Sequence, residues 1–173
     1  MSRTALVAAA LLALLAGGWF AQQHYQPTPA KPDALAALWQ LSLPDAAGVS
    51  QPLSQWRGNL MVINFWATWC APCREEMPDF DALQRQHHAQ GVKFVGIAID
   101  NARNVSDFTH KTPVSYPLLI GEGAAHSLAR QLGNRSGALP YTLILDRDGK
   151  IAHTHLGRMP RAILEAKLRE LGA

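Results

Sequence analysis

Cysteine is scarce in this chain: among 173 residues there are two, Cys70 and Cys73. Two thiols cannot frame a disulfide scaffold, and with no second pair they do not complete the four-ligand set of a structural zinc site. Long runs of one charge are also missing. The formal net charge is +3, and the Lys and Arg residues are scattered, which argues against a nucleic-acid-binding surface. No internal repeat is present. With 48% hydrophobic and 17% charged residues, the composition is that of a folded chain and not a disordered one.

The chain opens differently from the rest. "MSRTALVAAALLALLAGGWFAQQ" places one cation, Arg3, before an uncharged apolar stretch from Ala5 to Ala21. A basic start and an apolar middle are the pattern of an export signal. Ala16 and Gly18 would allow cleavage after Gly18. Alternatively Thr4 to Ala21 is near the lower length limit of a spanning helix, with Trp19 at the interface. The expectation is an uncleaved anchor over residues 1–22, with Arg3 held in the cytoplasm and the remainder outside. No cysteine follows the apolar run, so lipid attachment there is excluded. Pro27, Pro29 and Pro32 then space a stretch of extended chain, which reads as a tether over 23–34. The folded domain is expected over 35–173, long enough to bury a core without disulfide help.

Within that domain, "LWQLSLPDAAGVSQPLSQWRG" alternates around an Asp-Ala-Ala-Gly turn and predicts a short hairpin. Asn59 to Ala67 is a continuous apolar run, rich in β-branched and aromatic residues, and predicts a buried strand; Val92 to Asp100 predicts a second. Between them the pattern predicts a helix from about Pro72 to Gln90, with Met77, Phe80 and Leu83 at helical spacing and Pro78 inside it. Helices are expected near 104–111 and 124–132, with a short strand or turn at "YPLLIG". "LPYTLILDRDGKIAHTHLG" predicts two strands joined at Asp146–Gly149. A closing amphipathic helix carries Ile163, Leu164, Leu168 and Leu171. Strands alternating with helices, then a terminal hairpin, define an α/β sandwich.

The two cysteines sit in "FWATWCAPCREEMP", residues 65–78. As a staple the pair would close too small a loop to stabilise much. As a zinc site it lacks paired ligands, although His153 and His155 alternate along one strand. Redox exchange fits the surroundings. A thiol at a helix start feels the backbone N–H groups and the positive end of the helix dipole, both of which favour thiolate. Cys70 takes that position as nucleophile, and Cys73, one turn in, is the resolving thiol. Glu75 and Glu76 suit the same positive end, and a first-turn glutamate is commonly just solvated.

"FWATWCAPCREEMP" resembles the thioredoxin superfamily, and within it the membrane-tethered TlpA/ResA-like branch. "GVSQPLSQWRGNLMVINFWATWC", "GVKFVGIAIDN" and "LPYTLILDRDGKI" extend the likeness over nearly all of the domain. The resemblance implies a thioredoxin-like fold, a central mixed sheet flanked by helices with an N-terminal hairpin, and thiol-disulfide oxidoreductase activity with no cofactor beyond the Cys70–Cys73 disulfide. It matches Pro140 to a cis-proline facing the thiols, although a proline opening a strand is trans by default. It matches Leu139 to the residue whose backbone binds substrate. Trp69 corresponds to the aromatic residue beside the nucleophile, with plain core packing as the alternative. Glu76 corresponds to an acidic residue that relays protons. Where thioredoxins proper carry a buried aspartate this chain has Asn64, which cannot take a proton, so Glu76 or water is left to deprotonate Cys73.

Direction follows from the intervening dipeptide. Ala71-Pro72 lacks the histidine of strongly oxidising enzymes and is similar to the Gly-Pro of reducing thioredoxins. The expectation is a reductant outside the cytoplasmic membrane. Its electrons would come from a membrane thiol transporter, and its substrates would be protein disulfides such as those of apocytochrome c. A peroxidase is disfavoured because Thr68 precedes Cys70 without the needed proline. A copper carrier using Cys70, Cys73 and His153 or His155 stays open, as does an oxidase or isomerase in the same compartment.

Overall fold

Two apolar runs form the parallel centre of a five-stranded sheet in the computed structural model. The structure describes the backbone of residues 3–25 and 28–173, and the side chains of 6–20, 28–31 and 33–173. Strand β3 (Leu60–Trp66) pairs in parallel with β4 (Val92–Ala98), and β4 pairs in parallel with β5 (Leu118–Ile120). On the other side of β3, β6 (Tyr141–Leu145) and β7 (Ile151–Leu156) run antiparallel, giving the order β5-β4-β3-β6-β7. Helices α3 (Ala71–His87), α4 (Ala102–Lys111), α5 (Glu122–Gln131) and α6 (Arg161–Glu170) fill the connections. The short antiparallel hairpin β1 (Ser42–Pro44) and β2 (Ser50–Pro52) precedes them. This is the expected α/β architecture.

Alternation along β3 sorts the core into two layers. Leu60, Val62 and Trp66 join Phe80 and Leu83 of α3, Val105 of α4, and Leu164 and Leu168 of α6. Met61, Ile63 and Phe65 join Leu128 of α5 and Tyr141 on the opposite face. All seven residues of β3 are buried, as a strand covered on both faces requires. On α6, Leu164 and Leu168 are buried but Ile163 is 45% exposed, so its apolar stripe is narrower than the sequence pattern indicated.

One helix was not anticipated. Residues Pro32–Gln40 form α2, inside and beyond the stretch read as tether. Pro32 at the helix start explains the ambiguity, because a proline suits the first helical turn as well as extended chain. Ala34 and Leu38 are fully buried against the β3 face that carries Ile63. Trp39 Nε1 donates to the Gly149 carbonyl oxygen at 3.2 Å. Gly149 has φ +79°, and a Cβ there would lie 3.0 Å from the Trp39 ring, so only glycine lets the β6–β7 turn seat this indole. Upstream, the backbone N–H groups of Thr28 and Lys31 donate to the Gly133 and Gln131 carbonyls. Pro27 of the expected tether lies outside the described residues.

Helix α1 (Arg3–Tyr25) precedes this. Its large apolar side chains from Leu6 to Phe20 are 54–72% exposed. Among the described residues no helix is long and apolar enough to cross a membrane. Residues 1–5, 21 and 22 of the expected anchor have side chains outside the described residues.

If α2 belongs to the cooperative unit, Leu38→Ala removes a fully buried side chain and lowers stability by about 2–5 kcal/mol. Urea denaturation should show a lower midpoint with an unchanged slope; a change within about 0.5 kcal/mol would place α2 outside the unit.

Candidate active site

The last residue of β3, Trp66, delivers the chain to a tight four-residue turn, 67–70, that ends at the start of α3. Asp100, just beyond β4, clamps this turn. Its Oδ2 accepts from the Thr68 N–H at 3.1 Å and from the Thr68 hydroxyl, while Oδ1 accepts from Asn101 N and Asn104 Nδ2, each at 2.8 Å. Burial alone would raise the Asp100 pKa, but these donors outweigh it and hold the carboxyl below its ordinary value. The Cys70 N–H closes the turn onto the Ala67 carbonyl oxygen at 3.1 Å.

Cys70 is the N-cap of α3: its backbone is extended, and its Sγ accepts the Cys73 N–H at 3.3 Å. Pro72 falls in the first helical turn, where its missing N–H costs nothing. Cys70 and Cys73 are joined as a disulfide with their Cα atoms 5.3 Å apart. Cys70 keeps 5% of its surface open, whereas Cys73 has none. Only the first sulfur's residue can therefore be met from outside. Trp69 beside it is 67% exposed, which removes core packing as an account of this residue.

Glu76 is not the solvated helix-start residue that its position allows. It lies one turn beyond Cys73 and is fully buried. Its Oε1 accepts from Asn64 Nδ2 of β3 at 2.8 Å, and its Oε2 accepts from the Met159 backbone N–H in the β7–α6 link at 2.8 Å. Burial pushes its pKa up from 4.5 to about 7, against the two hydrogen bonds and the positive charge of Arg158. The sequence held one unused sign of this. Cys73, Glu76, Met77, Phe80, Leu83, Gln84 and His87 are the buried residues of α3, and their spacing is that of a single helical stripe. Glu76 belongs to that stripe by number alone.

The Leu139–Pro140 peptide bond is cis. Tyr141 lies opposite Phe65 in the β3–β6 pairing, so Pro140 stands level with Trp66, at the edge of the sheet from which the 67–70 turn departs. The Pro140 carbonyl oxygen accepts the Gly157 N–H at 2.8 Å. Leu139 is half-buried and packs against both core layers, one of which contains Cys70 and Cys73. The approach to Leu139 is braced by Tyr141, whose hydroxyl donates to the Leu132 carbonyl, and by Asn134, whose amide donates to that of Ala138, both at 2.8 Å.

The structure thus brings Trp69, Cys70, Cys73, Glu76, Leu139 and Pro140 to one end of the sheet. It does not bring the histidines there as ligands. His153 lies on β7 opposite Ile144, and His155 Nε2 is hydrogen-bonded with the Arg158 carbonyl oxygen at 3.1 Å. Among the described residues no group of three His, Cys, Asp or Glu side chains could hold a metal ion, so the copper set is not assembled. Sequence reasoning missed Asp100, Thr142 and the Met159 backbone, each distant in the chain from the residue it supports.

A mixed five-stranded sheet with a Cys-x-x-Cys disulfide at the start of the helix after its central strand, and a cis-proline immediately before the neighbouring strand, defines a thioredoxin-like thiol-disulfide oxidoreductase. The chain belongs to the Redoxin family, whose model matches residues 29–170. It is 30% identical over 168 residues to the thioredoxin-like protein YneN of Bacillus subtilis, covering 94% of this chain and 95% of that one. It is 29% identical over 129 residues to the thiol-disulfide oxidoreductase ResA of Bacillus cereus, covering 73% and 72% of the two chains. Among solved structures, a putative thiol:disulfide interchange protein DsbE from Chlorobium tepidum superposes with a TM-score of 0.67 at 23% identity, covering 84% of this chain and 97% of that one. The enzyme is a thiol-disulfide oxidoreductase of the ResA type.

A carboxyl whose proton affinity is higher folded than unfolded binds more protons in the native state between the two values, so stability falls as pH rises through that window. For Glu76 the window runs from 4.5 to about 7. The oxidised protein should lose on the order of 3 kcal/mol across it relative to Glu76→Gln, measured by denaturant titration at stepped pH. Parallel curves for the two proteins would contradict the buried carboxyl.

Proposed function

We propose that the enzyme works outside the cytoplasm as a reductant of protein disulfides. The observation that carries this reading is the Cys70–Cys73 disulfide at the α3 N-terminus, with one sulfur's residue at the surface and a buried carboxyl one helical turn beyond the other. In the reduced enzyme the Cys70 thiolate, stabilised by the helix N-terminus, attacks one sulfur of a substrate disulfide. The new S–S bond joins Cys70 to the substrate, and the other substrate sulfur leaves as thiolate. Glu76 then takes the Cys73 proton, and the Cys73 thiolate attacks Cys70, closing the enzyme disulfide and releasing the second substrate thiol. Two electrons pass to the substrate in all.

The exposed Trp69 and the Leu139–Pro140 corner form the rim against which a substrate strand lies. The basic then apolar start of the chain supports export. The Ala71-Pro72 dipeptide favours the reducing direction. An exported reductant meets an oxidising compartment and must be recharged, so its donor is a membrane thiol transporter. Its substrates are proteins whose cysteines must be free to bind haem or metal, as in apocytochrome c.

Cys70→Ser should abolish disulfide reduction, whereas Cys73→Ser should accumulate substrate as a mixed disulfide visible on non-reducing gels. Equal loss without trapping would contradict the assigned order of attack. Equilibration with glutathione should place the reduction potential near −270 mV; a value near −120 mV would make the enzyme an oxidant.

A further inference from the structure

Asn64 occupies the middle of β3 on the face turned to α3, and it is 2% exposed. Its side-chain nitrogen makes two hydrogen bonds at once, donating to Glu76 Oε1 at 2.8 Å and to Thr142 Oγ1 at 3.1 Å. Thr142 is its direct cross-strand partner on β6 and is fully buried. The other oxygen of Glu76 is held by backbone, through Met159 N. Of the two donors that fix this carboxylate, Asn64 is the one supplied by a side chain and therefore by the choice of residue.

We propose that Asn64 is the positioning residue of the exchange site: its amide holds the Glu76 carboxylate behind Cys73 in proton-accepting form, and Thr142 fixes the amide's orientation. The inference rests on Glu76 being the proton acceptor of Cys73, and adds what keeps that acceptor usable inside the core. A buried carboxylate needs donors to remain charged. An amide supplies two N–H groups and never titrates. An aspartate at 64 would supply none when ionised and would set two carboxylates in contact, which can then ionise only one at a time. An aliphatic side chain would leave Oε1 without a donor. The hydroxyl of Thr142 completes the arrangement, because accepting from one amide hydrogen leaves the other aimed at Glu76.

The remaining charged or titratable groups that face Glu76 are few. Arg158, in the β7–α6 link, favours the anion. Tyr116, before β5, is buried and feels the Glu76 charge, its own ionisation disfavoured first by burial. Cys73, three residues earlier on α3, lies on the same helical face. None of them donates a hydrogen bond to Oε1, so Arg158 does not replace Asn64.

The test uses the full chain and isolates the resolving step. Reduced protein is mixed with dithiobisnitrobenzoate: Cys70 attacks its disulfide, expels one thionitrobenzoate and keeps the other as a mixed disulfide, and release of that second coloured thiol by Cys73 is followed against pH. Wild type should show an inflection set by Glu76. Asn64→Leu should move that inflection to higher pH by one unit or more, slowing release at neutral pH about tenfold. Thr142→Val, which keeps the β-branched shape, should move it in the same direction by less, and serves if Asn64→Leu does not fold. In a Glu76→Gln background the inflection should vanish and Asn64→Leu should add no pH shift. An unmoved inflection in both Asn64→Leu and Thr142→Val, with Glu76→Gln still abolishing it, would overturn the role of Asn64 alone. An inflection that survives Glu76→Gln would overturn the proton-acceptor reading and this inference with it.

Discussion

The N–H group of Cys73, directed at the sulfur of Cys70 from 3.3 Å, is the contact on which the rest of the site depends. It exists because a central strand ends, the chain turns within four residues, and a helix begins with its unpaired N–H groups facing the turn. A sulfur placed there serves as helix cap and redox atom together. Oxidised, it is a neutral acceptor; reduced, it is the charge that the helix end stabilises best. The surrounding structure holds this geometry still. Asp100 fixes Thr68 from a neighbouring strand's end, the β3–β6 register brings Pro140 level with the turn, and both core layers pack beneath Leu139.

Behind the sulfurs the protein accepts an energetic cost. A fully buried carboxyl on α3 interrupts a largely apolar layer, and Asn64 and Thr142 interrupt it again from the sheet. Phe or Leu at such positions would pack and stabilise; polar groups do so only when every partner is present. Here the partners come from β3, β6 and the β7–α6 link. The same link binds the Pro140 carbonyl through Gly157. The carboxyl behind the inner thiol and the proline beside the outer one are therefore strapped by one short segment. That segment also carries Arg158, which lies 3.9 Å from Glu75 on the outer side of α3.

The sheet's centre was legible because residues 60–66 and 92–98 are apolar but for Asn64 and Lys93, a pattern that buried parallel strands impose. The cysteine pair was legible from its spacing and its place after such a strand. Other features depend on distance in space, which spacing cannot encode. Asp100 lies 32 residues from Thr68, and nothing local to either marks the contact. The sheet parity of Asn64 gave its face but not the residue across from it. Pro32 read as tether because the prolines around it suit extended chain, and only the burial of Ala34 and Leu38 distinguishes a docked helix. Trp69 could be surface or core on composition alone; its exposure excludes the core.

The central claim is that the α3 N-terminus makes the Cys70 sulfur an acid far stronger than free cysteine. Titrating the reduced protein by thiolate absorbance in the ultraviolet, with Cys73→Ser isolating the outer thiol, measures this directly. The account predicts ionisation below about 7.5; ionisation near the ~8.5 of free cysteine would contradict it.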